Sequence, residues 1–138
     1  MYSGYTMTER TYYHGSIDQI TEFNAVGTCL TDDPEIATSY LNGNHGYLYE
    51  VTVQADRVAD ERDLRDAADE LGLTDPYHYA FELADHRDVR AKLIEWGYDA
   101  VEYRDLNPNN EREHETLLTL GAQITIIRVE EIEAEEAW

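Results

Sequence analysis

The stretch Tyr12-Tyr13-His14-Gly15-Ser16 decides how the chain is read. Tyrosine and threonine favour a pleated, half-buried surface, and Gly-Ser ends such a run, so a short strand fed by Thr11 is predicted here. It closes on a histidine followed at once by a glycine and a hydroxyl. A ring nitrogen of His14 and the unshielded backbone N–H and C=O of Gly15 can together grip a small polar group such as a carboxamide. The plain alternative is a strand end that happens to carry His-Gly.

Outward from this strand, Ile17 to Phe23 is predicted as a short helix, and Gly27 to Thr31 as a second strand. Asp32-Asp33-Pro34-Glu35 is a helix start with Asp33 as cap and Pro34 in the first turn. That helix carries Ile36, Ala37, Tyr40 and Leu41 on one face and ends near Asn42-Gly43. From Tyr47 to Gln54 the residues alternate, with Tyr47, Tyr49, Val51 and Val53 facing one way, which is a strand. Three helical segments follow: Asp60 to Leu71, one opening at Thr74-Asp75-Pro76, and one capped by Asp85 and running to Trp96-Gly97. They read as an insertion with solvated, charged faces. Strands resume at Ala100 to Tyr103, Glu115 to Leu120 and Ile124 to Val129, with Arg104 to Glu113 as a polar loop. The acidic run from Glu130 to Glu136 is predicted to fray. The element order implies one α+β domain over residues 1–138, its sheet mostly antiparallel, with the short helices inserted in the middle.

The 138 residues suffice to bury a core, but thirty Asp and Glu stand against nine Arg and one Lys, a formal charge of −20. Such a surface repels phosphates and anionic membranes, which disfavours free nucleic acid as a partner unless Arg10, Arg104 and Arg112 gather in one place. Adaptation to high salt and imitation of DNA by an inhibitor both remain as explanations of the charge. Cys29 is the single cysteine, so no internal disulfide forms and a reducing compartment is expected. With no apolar run of ~20 residues and no leader pattern at the start, a cytoplasmic location is expected. His45, His78, His86 and His114 have neither an i,i+4 partner nor a cysteine neighbour, so no metal site is expected.

Three pieces in order, His14-Gly15-Ser16, Gly27 to Tyr40 and the strand opened by Glu115, resemble the catalytic domain of the ADP-ribosyltransferases. The similarity is to the His-Tyr-Glu branch that includes poly-ADP-ribose polymerases and diphtheria toxin. It covers the first ~53 residues and the stretch from Gly97 to Val129. The resemblance implies a sheet of that family's type and NAD as substrate. It implies that His14, Gly15 and the adjacent Ser16 hold the nicotinamide side, that Tyr40 stacks on the ring, and that Glu115 is the catalytic carboxylate. The implied reaction is mono-ADP-ribosyl transfer to a protein or other acceptor. Glu113 and Arg112, with the loop they belong to, are its implied acceptor side. The compact size suggests a phage- or virus-encoded effector or an intracellular toxin, with a neutralising protein as a further partner class.

The chemistry is coherent without the family. Breaking the nicotinamide–ribose bond moves positive charge to the ribose, as in glycoside cleavage, and a fixed carboxylate stabilises that charge more than the ground state. An electron-rich tyrosine face favours the pyridinium. One departure stands out: where the branch has a second stacking tyrosine, this chain has Cys29. Glu113-His114-Glu115 also gives a Glu-x-Glu pair, as in the arginine-modifying branch, without that branch's first-strand arginine or Ser-Thr-Ser. Two other readings therefore stay open: a non-catalytic binding module on the same scaffold, and an acidic inhibitor that imitates DNA.

Overall fold

The computed structural model describes residues 4–73, 80–107 and 112–134, and their side chains except at 81, 105–107 and 112–114. Along the chain run β1 (Tyr5–Ser16), β2 (Val26–Thr31), α1 (Pro34–Ser39), β3 (Gly46–Ala59), α2 (Glu61–Glu70), α3 (Ala80–Asp85), α4 (Arg87–Glu95), β4 (Ala100–Asn107), β5 (Arg112–Leu120) and β6 (Gln123–Ile132).

The strands lie in the order β1-β2-β5-β4-β3-β6, and β1 also pairs with β3. That extra pairing turns five strands into a closed barrel, with β6 as an added outer strand. The expected mostly antiparallel sheet of ADP-ribosyltransferase type is therefore corrected to a barrel. Its cause is the length of β3. Fourteen residues allow β3 to pair antiparallel with β1 along one edge, while its other edge serves β6 first and then β4. The last of these contacts is parallel and brief, Val58 to Ala100 and Ala59 to Val101. Closure through a long twisted strand removes edges that an open sheet would leave exposed.

Alternation along each strand divides the apolar residues between two cores. The lumen core holds Met7, Tyr12, Leu30, Tyr49, Val51, Val53, Val58, Ala100 and Leu117, drawing on all five barrel strands. The outer core lies on the opposite face of β4 and β5, where Val101, Tyr103, Leu118 and Leu120 meet Leu64, Ala67, Leu83, Val89 and Leu93 of the helices. Each such aliphatic side chain contributes roughly 1.5–3 kcal/mol by leaving water. The apolar faces of the helical middle thus form the second wall of the protein, while charged residues such as Arg65, Asp66 and Glu70 stay exposed.

Local signals explain the helices. Asp33 accepts from the Glu35 N–H at 2.9 Å with Pro34 in the first turn, and Asp60 and Asp63 form a reciprocal capping box. α4 is capped by His86, whose Nδ1 accepts from the Asp88 N–H, and not by Asp85. Ile17 to Phe23 forms no helix: Ile20 and Phe23 pack onto the lumen core, and Tyr49 Oη accepts the Ile20 N–H. β1 begins earlier than predicted, and β4 and β5 extend into the stretch expected as a polar loop. β6 continues to Ile132, past the expected onset of fraying. The expected helix start at Thr74 to Pro76 lies outside the described residues. Among the described residues, no helix is long and apolar enough to cross a membrane.

Two substitutions test this packing. A Cβ on Gly15 would meet the Ala37 carbonyl oxygen at 2.0 Å, so Gly15→Ala is expected to cost about 1–3 kcal/mol by pushing α1 off β1, read by urea denaturation. The Tyr12 hydroxyl is buried without a hydrogen-bond partner among the described residues. Since an unsatisfied buried hydroxyl costs ~1–3 kcal/mol, Tyr12→Phe is expected to leave the unfolding free energy unchanged or higher. A clear loss of stability in Tyr12→Phe would show that the hydroxyl is bonded.

Candidate functional site

β1 and β2 meet through a single register pair, Tyr13 with Thr31, which makes this the weakest seam of the barrel. Beside it opens a cleft of about 180 Å³, lined by Tyr13, His14, Gly15, Cys29, Thr31, Ala37, Tyr40 and Thr116 among others. Four residues singled out from the sequence therefore converge: His14 and Gly15 on β1, Cys29 on β2, and Tyr40 at the end of α1. Tyr40 does not join Ile36 and Ala37 in the interior, because it caps the helix and stays 55% exposed. Gly15 has a packing reason to be glycine, since α1 crosses it so closely. Ser16 is absent from the lining and its Oγ accepts from the Asp18 N–H.

His14 bridges the seam. Its Nδ1 lies 2.9 Å from the Cys29 carbonyl oxygen, and a carbonyl only accepts, so Nδ1 carries the proton. Burial pulls the imidazole below its ordinary value, outweighing the Cys29 carbonyl, which acts in the opposite direction. The ring is thus neutral near pH 7, with Nε2 as an acceptor. Phe23 meets it edge-on at 5.1 Å and fixes its plane. A second, more open cavity of about 440 Å³ shares His14 and Cys29 with this cleft and is lined also by Ile20, Phe23, Asn24 and Thr28.

Glu115 is not part of the cleft lining, although its neighbour Thr116 is. Successive strand residues face opposite ways, so Thr116 looks into the cleft and Glu115 toward the lumen. There Glu115 Oε2 accepts from Arg10 Nη2 at 3.0 Å, and its side chain remains 29% exposed. Arg10 Nη1 donates to Glu102 Oε2 at 3.1 Å, and the same oxygen accepts from the Tyr5 hydroxyl. Burial alone would weaken the Arg10 guanidinium as a base, but Tyr12, Glu102, Tyr5 and Glu115 together raise its pKa. Burial, with Glu102 adding to it, pushes the Tyr5 hydroxyl well above the ordinary tyrosine range. The Glu115 main chain is tied as well: Asp32 N–H donates to its carbonyl, and Asp32 Oδ1 accepts its N–H, both at 3.2 Å.

This polar cluster escaped the sequence reading. Arg10, Tyr12 and His14 alternate on one face of β1, a signal that was present, but nothing in the sequence assigns Glu102 and Glu115 as the partners of Arg10. The side chains of Glu113 and Arg112, the expected acceptor side, lie outside the described residues. Among the described residues, no group of three or more His, Cys, Asp or Glu is placed to hold a metal ion.

The burial of His14 sets a pH dependence. Its folded value is below the unfolded one, so its contribution to stability is complete above about pH 6.5 and is lost as pH falls through the folded value. Unfolding free energy plotted against pH between about 6.5 and 5 is expected to flatten in His14→Gln. An unaltered slope would mean that the folded state accepts the proton as readily as the unfolded chain does.

No protein-family model matches the chain, and no curated protein does. Among solved structures, it is similar to the crystal structure of an anti-CRISPR protein, with a TM-score of 0.51 and 18% identity over 86% of this chain and 96% of that one. At that identity the likeness speaks for a shared fold.

Proposed function

We propose that the chain binds NAD at the β1–β2 seam, breaks the nicotinamide–ribose bond and passes ADP-ribose to a protein or other acceptor. The observation that carries this reading is the convergence of His14, Gly15, Cys29 and Tyr40 on one cleft. His14, Gly15 and Tyr40 are residues that the motif order marks for the nicotinamide side, and Cys29 stands where that order has a second tyrosine. The register places Tyr13, Thr31 and Thr116 in one row across β1, β2 and β5. His14 and Glu115 then lie two strands and about two residues apart, on the order of 12 Å between Cα atoms. In this reading the ribose extends beyond the cleft to the lumen-facing side that Glu115 shares with His14.

In this reading Tyr40 offers a ring face to the pyridinium, with Cys29 as a small floor where a second aromatic ring would give a sandwich. Gly15 admits the carboxamide, and neutral His14 accepts a hydroxyl hydrogen through Nε2. Glu115 holds a ribose hydroxyl and stabilises the oxocarbenium-like centre as the C–N electron pair leaves with nicotinamide. The acceptor's nucleophilic atom then bonds to the anomeric carbon and loses its proton.

A net charge of −20 and the likeness to an anti-CRISPR protein favour a second reading, an inhibitor that covers the basic nucleic-acid surface of a CRISPR protein. The two readings join if such a protein is the acceptor, because the acidic surface would then supply docking and the cleft the chemistry.

The test is incubation with nicotinamide-labelled NAD, with and without a CRISPR effector complex, comparing Glu115→Gln with the unaltered chain. Release of label is expected to fall about 10²–10³-fold in the variant. Absence of release together with salt-sensitive binding that Glu115→Gln leaves intact would replace transfer by the inhibitor reading.

A further inference from the structure

The two halves of the proposed site stand on strands that do not touch. His14 is on β1, Glu115 is on β5, and the intervening β2 is joined to β1 by one residue pair. Hydrogen bonds of the barrel wall therefore hold their separation weakly. Arg10 supplies a direct tie. It shares the lumen-facing side of β1 with His14, and its guanidinium reaches across to Glu102 of β4 and Glu115 of β5 at 3.1 and 3.0 Å. Its own direction is set by the Tyr12 ring, whose centroid lies 5.5 Å from Cζ.

The charges in this cluster are also matched. An arginine beside a catalytic carboxylate would by itself cancel the field that stabilises a cation. Here Glu102 takes one side of the guanidinium, so Arg10, Glu102 and Glu115 together keep one negative charge. Arg10 engages Glu115 through Oε2 alone, leaving Oε1 as an acceptor for a ribose hydroxyl.

We infer that Arg10 is the positioning residue of this site, fixing Glu115 relative to His14 across the β1–β2 seam, with Glu102 as the counter-ion that leaves the cluster of three a net negative charge. This rests on the NAD reading above. A carboxylate misplaced by about 1 Å costs on the order of 10²-fold in rate, which sets the scale of the effect.

The experiment measures NAD hydrolysis by the unaltered chain and by Arg10→Gln, Arg10→Lys, Glu102→Gln and Glu115→Gln, with kcat and KM determined for each. Expected are a kcat lowered about 10–100-fold in Arg10→Gln with little change in the KM for NAD, and partial recovery in Arg10→Lys. Glu102→Gln is expected to lower kcat, since Arg10 then neutralises Glu115 alone. Turnover that Glu115→Gln abolishes but that Arg10→Gln leaves within twofold overturns this inference and spares the NAD reading. No turnover by the unaltered chain overturns both. Should Arg10→Gln fail to fold by circular dichroism, Arg10→Lys decides: an intermediate kcat supports the assignment, and one equal to the unaltered chain overturns it.

Discussion

β3 satisfies its backbone along both edges, and the architecture follows from how it divides them. One edge runs beside β1 from Tyr5 to Ser16, while the other is shared, β6 taking the first part and β4 the last two residues. The parallel contact of Val58 and Ala59 with Ala100 and Val101 is small in hydrogen bonds but large in consequence. It brings β4 and β5 round to face β1 across a lumen, so that Arg10 can reach carboxylates more than ninety positions away. It also fixes which faces of β4 and β5 point outward, where α2, α3 and α4 cover them.

The turn from Trp96 to Asp99 reinforces this closure. Asp99 accepts the backbone N–H groups of Asp56 and Arg57 at 2.8 and 2.9 Å, and Arg57 donates to the Trp96 carbonyl while lying over the Tyr98 ring. Side chains thus extend the β3–β4 junction that the two ladder residues begin. At the opposite side of the barrel, the β1–β2 seam has far less to hold it, and the cleft lies there. Wall strength and site opening are distributed by the same topology.

Much of the local structure was legible in the sequence because its causes are local. Asp33-Pro34 and Asp60 mark helix starts through side-chain acceptors within three residues, and Tyr47 to Val53 shows its lumen face by simple alternation. Cys29 and His14 could be suspected as neighbours only through a motif order, and the cleft does hold both. What escaped depends on partners distant in sequence. Ile17 to Phe23 has helical spacing, yet Tyr49 and the lumen core draw Ile20 and Phe23 into an irregular path. Barrel closure leaves no periodic trace, since a strand with one neighbour and a strand with two alternate in the same way. The partners of Arg10 were hidden for a related reason: among thirty acids, composition cannot say which two a guanidinium will meet.

β6 ends the strand order, so a row of main-chain donors and acceptors faces outward beside the exposed Ile127 and Val129. Glu130, Glu131 and Glu133 follow in the same stretch, all exposed. Two molecules approaching edge to edge would bring these carboxylates together, and mutual repulsion keeps a sticky ribbon from templating a filament. That safeguard is ionic, with a reach near 8 Å at physiological salt and near 3 Å at 1 M. At high ionic strength the carboxylates therefore lose their power as a guard against self-association, and the shape of this ten-residue, half-apolar ribbon is left to decide whether copies pair.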